Sequence, residues 1–286
     1  MAGLAHIKTA VVAALSLSVI GAAPARAQSD QLRLHLGYDG SLYLKVLDLE
    51  VDQTLDGKSF QSSVHLKTSG ILSLLHKINV HAESQGRIER DTAVPKSFTY
   101  MNADGRKNRR VTATWTGGDV AIQSQPQFPS LGDPPASQEQ KLEAADPLTI
   151  LTRVTMAPSG ERPCEGVHHF FDGKQRYDVA FSYRGTVQPD ARERLLGITD
   201  AVHCNLAFHE VAGFKKKPPE QRTQGLKRDV TVTLGRLGVQ GPWVVSSLRA
   251  DTVLGAAHID LVNAQVTGPV AVLARNAAHA ESLARR

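Results

Sequence analysis

Alternation of apolar and polar residues is the dominant pattern along the chain. It begins at Leu32, where every second residue as far as Tyr38 is apolar. The same period recurs at Leu47–Val51, Val64–Leu66, Ile78–Ala82, Val111–Trp115, Tyr177–Tyr183 and Val230–Leu234. A period of two places successive side chains on opposite faces, so each segment predicts a strand with one buried face. Leu44 and Val46 hold the opposite phase, which predicts a β-bulge near Val46-Leu47.

Asp-Gly dipeptides lie between several of these segments and predict tight hairpin turns. They are Asp39-Gly40, Asp56-Gly57, Asp104-Gly105 and Asp172-Gly173. Asp-Gly favours the positive φ angles of such turns, and consecutive hairpins produce antiparallel neighbours. One polar face per strand indicates a sheet that faces water on one side. The sequence therefore predicts a mainly β fold, a curled antiparallel meander that forms a half-barrel or β-spiral.

One segment departs from this period and predicts a helix from Asp146 to about Met156. Asp146 is a favourable N-cap, and Pro147 suits the first helical position. The apolar residues of this segment are Leu148, Ile150, Leu151 and Val154. They cover more than one narrow stripe, so we expect the helix to be largely buried against the sheet. In that position the helix would plug or gate a groove.

The rest of the mature chain reads as one β-rich domain over residues 28–275, without internal repeats. Residues 124–145 are rich in Pro, Gln and Ser, which predicts a surface loop. Lys215–Pro219 predicts a solvated loop, and Ile71–Lys77 predicts a short turn or the start of a strand. The Ala-rich residues 276–286 predict a frayed helical tail.

The first 27 residues have the pattern of a cleaved signal peptide. Lys8 supplies the positive region, Val11–Ala23 is apolar, and Ala25-Arg26-Ala27 has the small residues at both positions that signal peptidase requires. This predicts cleavage after Ala27 and a periplasmic protein. The apolar run is short for a membrane anchor, and no later run is apolar enough to span a bilayer.

Composition narrows the class of protein. The chain has 286 residues, 41% of them hydrophobic, with two cysteines and a formal charge of +5. These values exclude a disulfide-dense mini-protein, a disordered tail and a polytopic membrane protein. Loss of Lys8 and Arg26 with the signal peptide lowers the charge to +3. That small excess does not indicate a nucleic-acid partner.

Cys164 and Cys204 have two interpretations. In an oxidising compartment they would form a disulfide, closing a loop of about 40 residues and contributing about 3–4 kcal/mol of stability. The alternative is a metal site, because His168 and His169 follow Cys164, and His203 and His209 flank Cys204. Neither half matches a standard zinc signature. Export favours the disulfide.

The usual catalytic motifs are missing, so no enzyme, cofactor or metal is predicted. The chain has no Gly-x-Ser-x-Gly motif, and Gly57-Lys58-Ser59 lacks the preceding glycine of a phosphate-binding loop. The carboxylates of Asp48, Glu50 and Asp52 share one strand face, so they are candidates for an acid/base or cation site, but alternate polar positions of this kind favour a solvent-facing surface. His168, His169 and His209 would be bases only beside a nucleophile, and none is evident.

Several motifs then appear in a fixed order along the chain. They are Asp146-Pro147-Leu148-Thr149, Pro163-Cys164, Phe171–Asp178, and Cys204 with Val211-Ala212-Gly213-Phe214. Together they resemble the exported proteobacterial family catalogued as domain of unknown function 3108. The resemblance implies a curled β-sheet wrapped around one buried helix, similar in style to periplasmic lipoprotein carriers. It implies no catalytic residues, and family cysteines at the positions of Cys164 and Cys204 fit a disulfide. Near Tyr38–Val46 the chain departs from the family's glycine-rich turn.

These observations favour a non-enzymatic periplasmic protein that binds an apolar ligand in a β-groove. The ligand would be an acyl chain, a lipid or a lipoprotein segment, and the helix residues would line the groove: Asp146, Leu148, Ile150, Leu151 and Val154. The first alternative is a protein-interaction module for envelope integrity with no small ligand. The second is a metal-dependent hydrolase that uses the cysteine and histidine cluster.

Overall fold

The computed structural model describes residues 30–70, 73, 77–103, 108–158, 163–216, 230–252 and 255–270. Within these residues thirteen antiparallel strands form one sheet. The first seven are β1 (Leu32–Ser41), β2 (Lys45–Leu55), β3 (Ser59–Thr68), β4 (Asn79–Glu89), β5 (Thr92–Asn102), β6 (Arg109–Thr116) and β7 (Asp119–Gln125). The other six are β8 (Gly166–Phe171), β9 (Arg176–Val187), β10 (Ile198–Ala212), β11 (Val230–Leu237), β12 (Trp243–Thr252) and β13 (Gly255–Thr267).

The strand order is β7-β6-β5-β4-β3-β2-β1-β13-β12-β11-β10-β9-β8. Each strand therefore pairs with its sequence neighbours, except that β1 pairs with β13 in the middle of the sheet. The mainly β, meandering fold class predicted from the alternation is confirmed. The predicted bulge is also present, because Gly40 pairs with Leu47 and Ser41 pairs with Lys45, which leaves Val46 without a partner in the ladder.

The sheet curls until its two edge regions meet. On β8, the Phe171 amide donates a hydrogen bond to the carbonyl of Ala145, and the Ala145 amide donates one to His169. The Phe171 side chain is buried against Ala113 of β6 and Val120 of β7. The end of β8 thus lies between the chain segment before the main helix and the inner face of β6–β7. This contact closes the curl.

Three helices occur among the described residues: α1 (Gln138–Leu142), α2 (Pro147–Thr155) and α3 (Ala191–Leu195). The helix predicted from Asp146 to Met156 corresponds to α2, whose N-cap is Asp146 and whose C-cap is Met156. The loop predicted over residues 124–145 needs correction, because β7 extends to Gln125 and α1 lies within the segment. Ser137 and Gln140 form a reciprocal capping box there, so polar residues that suggest a loop instead begin a helix.

Several sequence predictions fall outside the described residues. These are the signal peptide with Ala25 and Ala27, the turn at Asp104-Gly105, most of Ile71–Lys77, Lys217–Pro219 of the basic loop, and the tail over residues 276–286. They stay predictions.

Candidate functional site

A stripe of polar side chains fixes α2 inside the curled sheet. Asp146, Thr149, Thr152 and Thr155 recur every three residues and are all buried. This spacing places them on one side of the helix, and that side faces β2–β4. The sequence analysis missed the stripe, because threonines in a helix carry no apolar signal. Their spacing from the N-cap aspartate could have revealed it.

Asp146 is the hub at the N-terminus of α2. Its Oδ1 accepts hydrogen bonds from the amides of Leu148 and Thr149 at 2.9 Å. Its Oδ2 accepts from the hydroxyl groups of Thr149 at 2.5 Å and of Ser84 on β4 at 2.9 Å. Burial raises the pKa of Asp146, although these hydrogen bonds act in the opposite direction. The carboxyl joins the helix cap to the sheet.

Gln53 on β2 is the second hub, near the other end of the helix. Its amide nitrogen donates to the Thr152 hydroxyl at 3.2 Å and to the Ser62 hydroxyl at 3.4 Å. Its carbonyl oxygen accepts from the Thr155 hydroxyl at 2.9 Å. Gln53, Ser62 and Ser84 lie opposite one another on β2, β3 and β4. The helix therefore crosses these strands along a single row of polar partners.

The rest of α2 packs into apolar surroundings. Val154 contacts a buried cluster that contains Cys164, Cys204 and Trp243. The two cysteines form a disulfide, with an S–S distance of 2.05 Å, which is the pairing that the sequence analysis favoured. Both thiols are used in this bond, which removes the thiolates that the metal-site alternative required. Among the described residues no group of three or more ligating side chains is placed to hold a metal ion.

The structure places the five helix residues predicted to line a groove mostly in the interior. Asp146, Leu148, Ile150 and Val154 are buried, and Leu151 is half-buried against the core. At the level of Gln53 and Ser84 the helix fills the concave face of the sheet. The open groove predicted along these helix residues is therefore not present at this level of the sheet.

Beyond the helix, towards the β1–β2 turn, the inner face stays apolar, and only part of it is fully buried. Tyr38 and Leu261 are buried in the row of Leu49. The half-buried inward residues there belong to six strands: Leu49, Leu66, Val80, Leu206, Leu248 and Ile259. Register confirms their common face, since Leu49 pairs with Leu66, Leu66 with Val80, and Leu248 with Ile259. We call this half-open surface the apolar cup.

An aromatic wall continues the cup on β8–β10. The Phe170 and Tyr177 rings stack with centroids 5.1 Å apart, and Tyr177 lies 4.9 Å from Phe208. Phe208 meets Phe214 edge-on at 6.1 Å. Phe208 is partly exposed, and burial raises the pKa of Tyr177, with further contributions from Asp172 and Asp146. The wall adds flat apolar surface at the level of the helix N-terminus.

A separate cleft of about 490 Å³ lies where the two edges of the sheet meet. Its lining includes Ile122, Phe128, Leu131, Lys141, Phe171 and Lys174. The guanidinium of Arg109 lies 4.7 Å from the centre of the Phe128 ring, and the Lys174 ammonium lies 5.6 Å from it. The cleft combines apolar surface with positive charge and faces solvent.

The structure gives the acidic residues considered as candidate acids or bases ordinary partners on the outer face. Asp52 contacts His35 at 2.7 Å, and Asp48 forms an ion pair with Lys45 at 2.7 Å. Glu50 is exposed at the position opposite His65. No nucleophile lies among these contacts, so they describe a solvated sheet surface.

The histidines are also placed as surface or packing residues. His169 contacts Asp178 at 2.6 Å, and Arg176 donates to the same carboxylate oxygen at 2.5 Å. His168 packs against Phe181 with ring centroids 4.6 Å apart, and burial, Arg153 and His169 lower its pKa. His209 is exposed on β10. Nothing in this arrangement points to catalysis.

Comparisons with known proteins give a family and a distant structural likeness. The sequence profile described as "Protein of unknown function (DUF3108)" matches residues 36–201. No curated protein matches the chain. A crystal structure of a β-barrel-like protein of domain of unknown function DUF1849 from Brucella abortus is similar with a TM-score of 0.43 and 10% identity, covering 84% of this chain and 99% of that one. In the described part of the chain, every helix is too short or too polar to cross a membrane.

Proposed function

The chain belongs to the DUF3108 family of unknown function, and we propose that it is a non-enzymatic periplasmic protein that binds an apolar chain in the apolar cup. The ligand would be an acyl chain, a lipid or a lipoprotein segment. One observation carries this proposal: the inner face of the sheet remains apolar above α2, and the residues of the apolar cup are only half-buried. Concave apolar surface left in contact with water is typical of a ligand site.

The chemistry of the cup favours an aliphatic ligand. Leu49, Leu66 and Val80 supply branched aliphatic surface on one side, and Leu248 and Ile259 supply it on the other. Burial of each methylene group of a ligand contributes about 0.8 kcal/mol. A chain of several methylene groups therefore gains enough free energy to offset the loss of its motional freedom. The predicted signal peptide and the disulfide support an exported protein.

The role of α2 in this function is to form the floor of the cup. Its hydrogen bonds to Gln53 and Ser84 fix it to the sheet two inward rows below the cup, with Val51 and Val64 in the row between. We therefore expect the ligand to bind above the helix rather than to displace it. In this role α2 stays in place, unlike a gate, which would have to move to admit a ligand.

The first test measures ligand binding directly. Purified mature protein is incubated with a native lipid extract, and bound species are identified by native mass spectrometry. Affinity for N-phenyl-1-naphthylamine, an uncharged apolar fluorophore, is measured in parallel. Leu66→Glu places a charge in the cup and is expected to weaken probe binding about tenfold or more.

Two further variants make this test specific. Gln61→Glu adds the same charge on the outer face of β3, opposite the uncharged Thr54 and Gln85, and should leave probe affinity unchanged. Val80→Gln is a milder change in the cup if Leu66→Glu fails to fold. Absence of bound lipid, together with equal probe affinity in all variants, would contradict the proposal. A stable periplasmic protein partner without lipid would instead favour the protein-interaction alternative.

A further inference from the structure

The cleft between the two edge regions of the sheet combines apolar walls with cationic side chains. Its apolar lining comes from the end of β7, the segment that follows β7, and the end of β8: Ile122, Phe128, Leu131, Pro135, Ala136 and Phe171. Lys141 of α1 and Lys174 of the β8–β9 turn add two ammonium groups to this lining. We call this space the seam cleft. Its volume of about 490 Å³ is in the range of small-molecule sites.

Hydrogen bonds hold the wall of the seam cleft that lies between β7 and α1. The Arg109 guanidinium of β6 donates to the carbonyl of Pro126 at 2.9 Å and lies 4.7 Å from the centre of the Phe128 ring. Further along the segment, the Asp133 amide donates to the carbonyl of Phe214, which follows β10, at 2.9 Å. The wall is therefore attached to two separate parts of the sheet. This makes the cleft largely preformed, as is usual for small-molecule sites.

The β8–β9 turn contacts β6 closely and thereby positions Lys174. A Cβ atom at Gly173 would lie 2.6 Å from the Cγ1 atom of Val111, and the φ angle of Gly173 is +92°. Both features require glycine at this position. The close approach places the next residue, Lys174, at the seam cleft, with its ammonium group 5.6 Å from the centre of the Phe128 ring.

The charged groups at the seam cleft leave an excess of positive charge. Its cations are Arg109, Lys141 and Lys174, and within the described ranges none of them takes part in an ion pair. Asp172 offsets part of this charge, because it lies in the same turn as Lys174. Its Oδ1 accepts hydrogen bonds from the backbone amides of Lys174 and Gln175 at 2.9 and 2.7 Å. Three cations thus lie near one acid.

Other acids in neighbouring parts of the chain do not remove this excess. Asp133, in the segment before α1, forms an ion pair with Lys216 at 3.5 Å. The nearest glutamates in sequence lie two positions before and two positions after Lys141, and residues two apart do not face each other on a helix. Residues 104–107, which lie outside the described residues, contain one acid and two bases.

We propose that the seam cleft binds a small organic anion that has one acidic head and an apolar body. The apolar body packs against Ile122, Leu131 and Phe171. The acidic head accepts hydrogen bonds from the ammonium groups of Lys141 and Lys174, and charge-assisted hydrogen bonds are stronger than neutral ones. A cationic ligand would be repelled by the same groups, and an uncharged ligand would not use them.

This site is separate from the apolar cup and does not depend on the proposed function. The cup offers aliphatic surface to an apolar chain, whereas the seam cleft also recognises a negative charge. Two probes separate these properties, because 8-anilino-1-naphthalenesulfonate has the skeleton of N-phenyl-1-naphthylamine with an added sulfonate group.

Fluorescence titration with the two probes tests the proposal. We expect Lys141→Gln with Lys174→Gln to weaken affinity for the sulfonate probe about tenfold, and to leave affinity for the uncharged probe unchanged. Affinity of the parent protein for the sulfonate probe should decrease as salt concentration rises. Leu131→Ser, at a side chain that is 57% exposed, should weaken it several-fold because apolar contact is lost.

Matched variants away from the seam cleft provide the control. Lys58→Gln with Lys96→Gln removes the same charge from exposed positions, and Leu195→Ser removes an exposed leucine from α3, so both should bind the sulfonate probe like the parent. Unchanged midpoints of thermal unfolding verify that each variant is folded. The proposal is overturned if the variant with both cleft lysines replaced binds the sulfonate probe like the parent, if the control lysine variant loses as much affinity, or if both probes lose affinity in parallel.

Discussion

At the scale of single residues, two aspartates show how burial and hydrogen bonds oppose each other. Burial raises the pKa of Asp146, which lies between the helix cap and β4, in spite of its hydrogen bonds. Partial burial by itself raises the pKa of Asp178 as well, but hydrogen bonds from His169 and Arg176 outweigh this effect. The pKa of Asp178 is therefore lowered. Asp146 was predicted as an N-cap from its sequence context. Its bond to Ser84 was not, because 62 residues separate the two.

These opposite shifts predict opposite effects of pH on stability. A carboxyl with a raised pKa binds its proton more tightly in the folded state, so its contribution is greatest below the unfolded value of 3.8 and is lost as pH rises through the folded pKa. A carboxyl with a lowered pKa contributes above 3.8 and loses that contribution as pH falls. Urea unfolding of the parent, Asp146→Asn and Asp178→Asn proteins between roughly pH 3 and 7 measures both.

The difference in the free energy of unfolding between the parent and each asparagine variant reports the contribution of that carboxyl alone. The free energy of unfolding of the parent minus that of Asp146→Asn should decrease as pH rises. The corresponding difference for Asp178→Asn should increase. Slopes of the same sign for the two differences would show that one of the two environments is described incorrectly.

At the scale of elements, α2 illustrates what the sequence could and could not predict. Its ends were predictable because Asp146 and Pro147 are strong local signals for a helix start. Its apolar residues indicated burial but could not show which face meets the sheet. The partners of the polar stripe lie on β2–β4, far away in sequence, and Gln53 within a strand resembles any outward polar residue. The helices α1 and α3 were missed although capping boxes at Ser137 and Asp190 begin both.

A double-mutant cycle measures how strongly the stripe holds the helix. Thr155→Val leaves the Gln53 carbonyl oxygen without this donor in a buried site, and Gln53→Leu removes the acceptor. We expect each single change to lower the free energy of unfolding by about 1–2 kcal/mol. The double variant should cost less than the two together, because the Gln53 carbonyl oxygen and the Thr155 hydroxyl are then both absent. The bonds from the Gln53 amide to Ser62 and Thr152 are lost in both variants that carry Gln53→Leu, so they cancel in the cycle. Additive losses in chemical denaturation would mean that this hydrogen bond contributes nothing.

At the scale of the whole molecule, the hairpins depend on local sequence signals, whereas the closure of the sheet depends on contacts between distant strands. Period-two segments and the Asp-Gly dipeptides at Asp56 and Asp172 predicted hairpins of the antiparallel meander. The turn predicted at Asp39-Gly40 is wrong, because both residues lie within β1 and pair with β2, and the chain turns at residues 42–44. The pairing of β1 with β13 and the contact of Phe171 with β6–β7 were not predictable, because no local signal specifies which distant strands meet. The cup depends on these same distant contacts. Sequence alone therefore predicted a groove but not its position.

The disulfide is the long-range link whose removal is simplest to measure. It joins residues separated by 40 positions and ties the segment after α2 to β10. In the chain-entropy model a loop of this length stabilises the fold by about 4 kcal/mol. Cys164→Ala with Cys204→Ala should lower the free energy of unfolding by about this amount, and reduction of the parent should lower it similarly. A loss below about 1 kcal/mol would show that the unfolded chain is little restrained by the bond.

The pairing of β1 with β13 also has a consequence for the order of assembly. Strands β1–β7 and β8–β13 each form from successive hairpins, so each half-sheet can grow while the chain is being synthesised. The centre of the sheet cannot be completed until the last strand has been made, and until then the inward edges of both halves carry unpaired backbone groups. The newly made protein therefore exposes a template for mispairing at its middle, and this is the stage at which a chaperone would protect it most.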